Sequence, residues 1–261
     1  MPESSLVIEK LVVGHSENMR CFIPSSEWSP SRLIANGDEA HHMLHVLRVK
    51  AGQPIEAFDG AGKTADAEIV AIQKHRVEMR VLQQRENPRP AVAITLIQAV
   101  PREQKMDLVI QKAVELGVAG IIPVLTRHSL VRIQKDVGNA KQARWDKIAI
   151  NSAKQCGSVW LPAIVPVQTF ADFIKNIPRF DLLLTCSLES DARPLKEILQ
   201  SVKPLAPKSI AFLVGPEGDL SQEEHADVRR AGARPVSLGG LVLRTETAAL
   251  YALGVLKYEF S

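Results

Sequence analysis

Residues 209–218 read SIAFLVGPEG, a strand-like run that leads directly into a turn with two glycines. SIAFLV is apolar on both of its faces, which predicts a central strand of a parallel sheet covered on both sides. Ligands of such sheets bind at the carboxyl ends of the strands, where the turn at 215–218 stands. The arrangement repeats at 234–238, where RPVSL precedes Gly239 and Gly240. Because glycine lets a ligand approach the backbone, the two turns are predicted to enclose one nucleoside-like cofactor.

A plain strand-to-helix turn is the alternative interpretation of G-P-E-G, because it lacks the G-x-G-x-x-G spacing of dinucleotide sites. Ser221 and Glu224 form an S-x-x-E capping box, which predicts that a helix begins just after the first turn. A second helix is predicted to begin near Thr245. In that alternative, Glu217 and Glu246 bind no ligand and are solvated carboxylates near the starts of helices, where the helix dipole favours negative charge.

Strands and helices alternate through the rest of the second half of the chain, which predicts an α/β fold with a parallel sheet. Further strands are predicted at 92–100, 118–125 and 180–185, and further helices at 102–116, 139–156 and 169–176. The final helix carries apolar residues almost all the way round. It is therefore predicted to be buried, either in its own core or against a second subunit.

In residues 19–84 the apolar residues come in short runs that either alternate with polar residues or are β-branched. This pattern predicts a small β-barrel or sheet. One helix interrupts it at 38–47, with Ala40, Met43, Leu44 and Leu47 on one face and His41, His45 and Arg48 on the other. The charged, proline-containing stretch 85–91 is the predicted linker. We therefore expect two domains, 1–85 and 86–261.

Composition excludes several classes of protein. The net charge is only +3, and most of the excess lies between residues 127 and 154, where seven basic side chains face two acidic ones. The three cysteines have no C-x-x-C spacing, and His41 and His45 have no evident third ligand, so no disulfide framework and no metal site are expected. No leader or membrane-spanning run is visible, and a soluble protein of the reducing cytoplasm is expected.

Several long strings resemble one family in order along most of the chain. LVGPEGDLSQEE, SLGGLVLRTETAALYAL, VLRVKAGQPIEAFDGAGKTADAEI and KMDLVIQKAVELGVAGIIPV are similar to the ribosomal RNA small subunit methyltransferase E family of the SPOUT superfamily. The resemblance implies an N-terminal PUA-like RNA-binding β-barrel and a C-terminal SPOUT domain with a trefoil knot. It also implies S-adenosylmethionine as cofactor, methylation of a uridine N3 in 16S ribosomal RNA, and a homodimer formed through the C-terminal domain.

The resemblance and the two turns together give the candidate site residues. Arg244 is the expected catalytic residue, because a guanidinium presents several donors to negative charge on the uracil ring, with Glu246 orienting it and Glu217 as a further contact. A structural pair between Arg244 and Glu246 is the alternative. The expected cofactor-binding residues are Thr185, Val214, Gly215, Pro216, Glu217, Gly218, Leu238, Gly239, Leu243, Thr245 and Ala248. The expected RNA-binding residues are Arg20, His45, Arg48, Lys105, Lys112, Arg127, Arg132 and Gln155.

The chain departs from the family pattern at three places. Asp219 stands where the family usually has a glycine, Gly240 and Leu241 stand in a turn that often carries a basic residue, and Ser158 stands where arginine is common. The glycines of both turns are nevertheless present. Two other functions remain open on the sequence alone: a SPOUT enzyme acting on ribose 2′-oxygen or transfer RNA, and a non-catalytic RNA-binding assembly factor.

Overall fold

The computed structural model describes residues 19–101, 103–129 and 135–260, and side chains in the helical stretches 103–104 and 135–139 are left out. Within these residues the chain forms two compact units. The first comprises residues 19–87 together with 154–159, and the second comprises 88–153 and 160–260.

The first unit is built on a five-stranded sheet. Its strands are β1 (Arg20–Phe22), β2 (Arg32–Asn36), β3 (Pro54–Phe58), β4 (Lys63–Gln73) and β5 (Arg76–Glu86), in the spatial order β1-β3-β4-β5-β2. Only β1 and β3 run parallel, and the other neighbours are antiparallel. Strand β2, of five residues, was not predicted from the sequence. The linker prediction was wrong at its start, because β5 continues to Glu86 and the irregular connection begins at Asn87.

The helix predicted at 38–47 is confirmed, although its second half is wider than an α-helix. It consists of α1 (Gly37–His41) followed by one π-helical turn (His42–Val46). Ala40 and Met43 are fully buried in the core of the first unit, where Leu44 and Leu47 pack against it. His41 and His45 lie on the exposed face, with ring centroids 4.4 Å apart.

The second unit is an eight-stranded sheet in which all neighbouring strands pair in parallel. Its strands are β6 (Ala93–Ala99), β7 (Gly120–Leu125), β8 (Ala163–Ile164), β9 (Gln168–Thr169), β10 (Leu182–Cys186), β11 (Arg193–Pro194), β12 (Ser209–Val214) and β13 (Arg234–Ser237). The order is β11-β13-β10-β12-β6-β7-β8, with β9 also beside β7.

Six helices accompany the described strands of this sheet: α2 (Glu103–Glu115), α3 (Lys135–Cys156), α4 (Phe170–Lys175), α5 (Leu195–Val202), α6 (Gln222–Arg230) and α7 (Thr245–Phe260). Helix α5 was not predicted from the sequence, although its Leu195, Ile198, Leu199 and Val202 are buried at helical spacing. No described helix is long and apolar enough to cross a membrane.

The central position of β12 is confirmed. It lies between β10 and β6, and residues 210–214 are buried without a polar face. The capping box is also confirmed: the Ser221 hydroxyl accepts a hydrogen bond from Glu224 N, and the Glu224 carboxylate accepts one from Ser221 N. These two features place the turn at 215–218 on the carboxyl edge of the sheet, directly before α6.

Within one chain, α7 is buried along only part of its surface, so the prediction that it is buried in its own core or against a second subunit is met in part by its own core. Its small residues Ala248, Ala249 and Ala252 face α2 and the sheet and are buried. On other sides of the helix, Tyr251 is 49% exposed and Tyr258 is 86% exposed. Leu253 and Leu256 are buried as well, so α7 packs along one face, where the small side chains let helix and sheet approach one another.

Phe212, at the centre of β12, is fully buried. We expect Phe212→Ala to lower the free energy of unfolding by about 3–5 kcal/mol, because it removes a large apolar side chain and leaves a cavity. Leu205→Ala, at a side chain that is 72% exposed, is the control and is expected to change it by less than about 0.5 kcal/mol. Urea unfolding followed by circular dichroism measures both, and equal effects would contradict the central placement of β12.

Candidate functional site

A cavity of about 260 Å³ opens at the carboxyl edge of the parallel sheet. It is enclosed by the loops that follow three adjacent strands, β10, β12 and β13, and by the first turn of α7. Both glycine turns of the sequence analysis contribute to it. The lining is mainly apolar side chains and loop backbone, a composition suited to a flat organic ligand with a few polar groups.

Glycine is favoured at two of these turn positions for different reasons. A Cβ atom at Gly215 would lie 3.2 Å from Asp219 Oδ1 and 3.4 Å from Leu220 N, so a side chain there would force Asp219 and the turn to shift slightly. Gly239 has a φ of +128°, a conformation that other residues rarely adopt, and nothing lies within 4 Å of where its Cβ would stand. The second turn therefore leaves open space beside its backbone.

A buried hydrogen-bond network joins α7 to the turn after β12. Thr245 Oγ1 donates to Gly215 O at 2.7 Å, and Gln98 Nε2 donates to Thr245 Oγ1 at 2.9 Å. The same Gln98 amide also donates to Ala99 O at 2.9 Å, and Gln98 is fully buried. Three chain segments that are distant in sequence are thereby held in register beneath the cavity.

Asp219 explains how this chain forms a turn in which the family usually has glycine. Its φ of +58° lies in the left-handed region, which Asp and Asn tolerate better than other side-chain-bearing residues. Asp219 Oδ1 accepts a hydrogen bond from Leu220 N at 2.7 Å and lies 3.4 Å from His225 Nε2. Burial acts to raise the pKa of this carboxyl, but the bonds from His225 and Leu220 outweigh it and leave the pKa below its ordinary value.

Cys186 lines the same cavity from the end of β10. Burial, together with the negative charge of Asp219, raises the pKa of the Cys186 thiol to about 11. A thiol at such a pKa stays protonated at neutral pH and is a poor nucleophile. The residue therefore contributes a small, neutral wall to the cavity.

Lys105 forms a charged cluster at the rim of the cavity. Its Nζ lies 2.9 Å from Glu217 Oε1 and 3.3 Å from Glu246 Oε2, which joins α2 to the turn after β12 and to α7. The hydrogen bond to Glu217, reinforced by Glu246, raises the pKa of Lys105. The prediction that Glu246 orients Arg244 was wrong, because Glu246 pairs with Lys105. Arg244 lines the cavity and makes no side-chain hydrogen bond or ion pair within the described part of the chain.

The structure brings most of the predicted cofactor-binding residues together. Those that line the cavity are Val214, Gly215, Pro216, Glu217, Leu238, Gly239, Leu243, Thr245 and Ala248, and the predicted catalytic Arg244 joins them. Thr185 and Gly218 do not line it. Thr185 is fully buried one residue before the cavity begins on β10, and Gly218 faces His128 on the other side of the turn.

Two further groups of residues line the cavity and were not predicted from the sequence: Cys186, Ser187 and Leu188 after β10, and Leu241 and Val242 in the second turn. The first group could have been predicted, because FDLLLT (180–185) was predicted as a strand of the parallel sheet. The residues that follow it lie at the same carboxyl edge of the sheet as the two glycine turns. No local pattern indicated the second group. Leu241 and Val242 are about 80% exposed despite being apolar.

The predicted RNA-binding residues of the first unit have two different environments. Arg20 is only 6% exposed; it pairs with Glu56 at 2.6 Å, donates to Ser158 O at 3.3 Å and stacks over Phe58. Its guanidinium is occupied by contacts within the unit. His45, Arg48 and Gln155 are exposed, and Arg48 has a left-handed φ of +53°.

The predicted RNA-binding residues of the second unit are mostly paired with acidic groups. Lys112 pairs with Glu115 on the same helix at 2.8 Å, and Arg127 pairs with Glu223 at 3.1 Å, in addition to the Lys105 cluster. Arg132 lies outside the described residues. In the basic stretch 127–154, Arg144 is likewise paired with Asp107. The stretch therefore has fewer unpaired cations than its net charge suggests.

Comparison with known proteins places these features among RNA methyltransferases. The family model for an RNA methyltransferase domain matches residues 87–257, and the model for an RNA methyltransferase PUA domain matches residues 35–82. A putative methyltransferase from Legionella pneumophila, solved with bound S-adenosylmethionine, is 32% identical, with 92% of this chain and 97% of that chain covered and a TM-score of 0.84.

Two further relatives carry a more specific description. A ribosomal RNA small subunit methyltransferase E from Neisseria gonorrhoeae, solved with S-adenosyl methionine, is 31% identical, with 92% and 97% of the two chains covered and a TM-score of 0.81. The ribosomal RNA small subunit methyltransferase E of Bacillus subtilis is 29% identical over 226 residues, which cover 85% of this chain and 88% of that protein.

The Thr245 network allows a stability test. We expect Thr245→Val to lower the free energy of unfolding by about 1–3 kcal/mol, because it leaves a buried Gln98 donor and Gly215 carbonyl without a partner. Thr245→Ser, which keeps the hydroxyl, is the matched control and is expected to retain most of the stability. Urea unfolding measures both variants; a valine variant as stable as the serine one would show that the hydroxyl is dispensable.

The Asp219 carboxyl allows a pH test. Because its pKa is lowered on folding, its charged form stabilises the protein above the ordinary aspartate pKa of about 3.9. That contribution is lost as the pH falls through the lower pKa of the folded state. We expect Asp219→Asn to be less stable than the unmodified chain at pH 7, and the difference to shrink below about pH 3.9. Urea midpoints from pH 7 to pH 3 measure this, and a constant difference would contradict it.

Proposed function

Because this chain belongs to the ribosomal RNA small subunit methyltransferase E family of RNA methyltransferases, we propose that it transfers a methyl group from S-adenosylmethionine to a uridine N3 of 16S ribosomal RNA. The observation that carries the proposal is the cavity formed at the carboxyl edge of the sheet by the loops after β10, β12 and β13, with Arg244 on its wall. A relative of 31% identity, described as a ribosomal RNA methyltransferase, has been solved with this cofactor.

The residues present fit S-adenosylmethionine. The cavity volume of about 260 Å³ and its apolar walls suit an adenosyl group, and the backbone at Gly239 has open space where a Cβ would otherwise stand. The residues that hold the cofactor are the nine predicted ones that line the cavity, from Val214 to Ala248. Leu238, Leu243 and Ala248 offer apolar contact, and the turns at 215–217 and 238–243 offer backbone donors and acceptors.

S-adenosylmethionine, when bound, supplies a methyl group on a sulfonium sulfur that is already a good leaving group, so the protein needs chiefly to position the base and exclude water. The uracil N3 must lose its proton as it accepts the methyl group. Negative charge then spreads onto the ring oxygens, and Arg244 is the group we assign to stabilise it. Glu217, which pairs with Lys105 and lines the cavity, is the carboxylate that we assign to take up the N3 proton.

RNA binding involves both units in this proposal. A uridine N3 takes part in Watson-Crick pairing, so the target must be unpaired or drawn out of its stack before transfer. The exposed His45, Arg48 and Gln155 of the first unit and Arg127 of the second are the candidates for phosphate contacts. The buried position of Arg20 suits a structural role instead.

Three further features follow from the family and belong to the proposal. We propose a homodimer through the second unit, because exposed apolar groups lie on α7 and the second turn, among them Tyr251, Tyr258, Leu241 and Val242. We also propose the trefoil knot of SPOUT enzymes and residence in the cytoplasm, where ribosomal RNA is modified. Sedimentation at micromolar concentration tests the dimer.

The direct experiment is to incubate the protein with labelled S-adenosylmethionine and unmethylated small subunits or naked rRNA, and to map the modified nucleoside. We expect label at uridine N3. Label on a ribose 2′-oxygen or on transfer RNA would assign the chain to another SPOUT activity. RNA binding without any label would favour a non-catalytic assembly factor.

Arg244 provides the test of the mechanism. We expect Arg244→Ala to lower kcat by about 10²–10³-fold, the effect of removing one donor to developing negative charge, while the Kd of S-adenosylmethionine changes little. Arg193→Ala, which removes an arginine from an exposed ion pair with Glu197, is the control and is expected to leave both unchanged. Single-turnover assays and calorimetry measure the two quantities. Full activity of Arg244→Ala would remove this residue from the mechanism.

A further inference from the structure

The Asp219 carboxylate lies on the wall of the cavity proposed for the cofactor. Its Oδ1 accepts a hydrogen bond from Leu220 N at 2.7 Å and lies 3.4 Å from His225 Nε2. Its Oδ2 has no hydrogen-bond or ion-pair partner within the part of the chain that the structure describes. One oxygen of this carboxylate is therefore available to a ligand of the cavity.

Asp219 differs in this respect from Glu217, the other acidic residue among the described residues that line the cavity. Lys105 Nζ lies 2.9 Å from Glu217 Oε1, so that carboxylate has a basic partner. Neither a lysine nor an arginine pairs with Asp219 within the described residues. Because partial removal from water penalises a charge that has no ion-pair partner, a cation bound in the cavity would stabilise the Asp219 carboxylate.

The charge of Asp219 acts along the cavity wall. Cys186 stands at the end of β10, on a different loop, and the pKa of its thiol is raised by burial and then by the negative charge of Asp219. Cys186 also lines the cavity, so the electrostatic field of the carboxylate reaches surface that a ligand touches. A ligand in a cavity of about 260 Å³ lies within a few ångströms of that surface, a range over which unit charges attract appreciably.

S-adenosylmethionine is a cationic ligand of the kind that such a wall favours. Its α-amino and α-carboxyl groups carry opposite charges at neutral pH, so the sulfonium carries the net charge of the amino-acid and adenosyl parts together. When the methyl group is transferred, the electron pair of the broken C–S bond stays on sulfur, and S-adenosylhomocysteine is left with a neutral thioether. The methyl donor and the product therefore differ by one positive charge in nearly the same shape.

We propose that Asp219 selects the methyl donor over the product, because its carboxylate attracts the sulfonium of S-adenosylmethionine and has no such attraction for S-adenosylhomocysteine. Arg244 lines the same cavity and repels a sulfonium, and the Asp219 carboxylate offsets that repulsion. Asp219 stands where the family usually has a glycine, so this selection by charge belongs to this chain and not to the family pattern. The inference rests on the proposed function, of which S-adenosylmethionine is a part.

The decisive variant is Asp219→Asn, which removes the charge and keeps an oxygen that accepts from Leu220 N. Calorimetry at pH 7 without RNA measures the Kd of S-adenosylmethionine and of S-adenosylhomocysteine for the unmodified protein and for the variant. We expect the variant to bind S-adenosylmethionine about tenfold more weakly, the effect of losing one charge pair in a partly solvated site. The Kd of S-adenosylhomocysteine is expected to change by less than about twofold, because its sulfur carries no charge.

Two further comparisons separate charge from other effects. Sinefungin carries a protonated amine in place of the methylsulfonium group, and its Kd is expected to change as that of S-adenosylmethionine does. Asp219→Gly installs the residue that the family usually has, suits the φ of +58° at this position, and is expected to reduce donor selection as Asp219→Asn does. Glu197→Gln, which removes a carboxylate from an exposed ion pair outside the cavity, is the control and is expected to leave every Kd unchanged. Urea midpoints verify that each variant is folded.

An equal loss of affinity for donor and product in the folded Asp219 variants would overturn the inference, because the carboxylate would then act on a part that both ligands share. An unchanged Kd of S-adenosylmethionine would overturn it as well. The proposed function fails separately. If the unmodified protein places no methyl group on rRNA, the function itself is wrong, whereas methylation of rRNA with an unaltered ratio of the two Kd values in the variants removes only this role of Asp219.

Discussion

The buried hydroxyl of Thr245 is the constraint on which the second unit depends. It donates to the Gly215 carbonyl and accepts from Gln98, so one side chain joins the start of α7, the turn after β12 and the end of β6. None of these groups can find water at that depth, and breaking any bond leaves an unpaired polar group. The turn therefore has a single position relative to the helix. The cavity wall that the turn forms therefore has a fixed position as well.

Three carboxylates around the cavity each have a specific hydrogen-bond or ion-pair partner. Asp219 is held by Leu220 N and His225, and Glu217 and Glu246 share Lys105. Arg244, by contrast, has no side-chain partner within the described residues and lines the cavity proposed for the cofactor. A guanidinium without a carboxylate partner is available to negative charge on a ligand, which is the role that the proposed function gives it.

Sequence patterns predicted those parts of the fold whose signal is local. β12 was evident because five consecutive apolar residues need cover on both faces, and the α6 start was evident because a capping box is a four-residue pattern. Short elements such as β8, β9 and β11 were missed, since two residues carry no periodicity. The pairing of Glu246 was also missed: Arg244 is its neighbour in sequence, whereas Lys105 reaches it only because α2 packs against α7.

The sequence by itself determined a parallel α/β unit following a small sheet, two glycine turns at strand ends, and most of the residues that line the cavity between them. Only the tertiary structure decided which charged groups meet and that the loop after β10 completes the cavity. The physical reason is that hydrophobic periodicity and turn chemistry act over a few residues. Hydrogen bonds and ion pairs between loops depend on distances set by the packing of elements up to 147 positions apart, as Gln98 and Thr245 are.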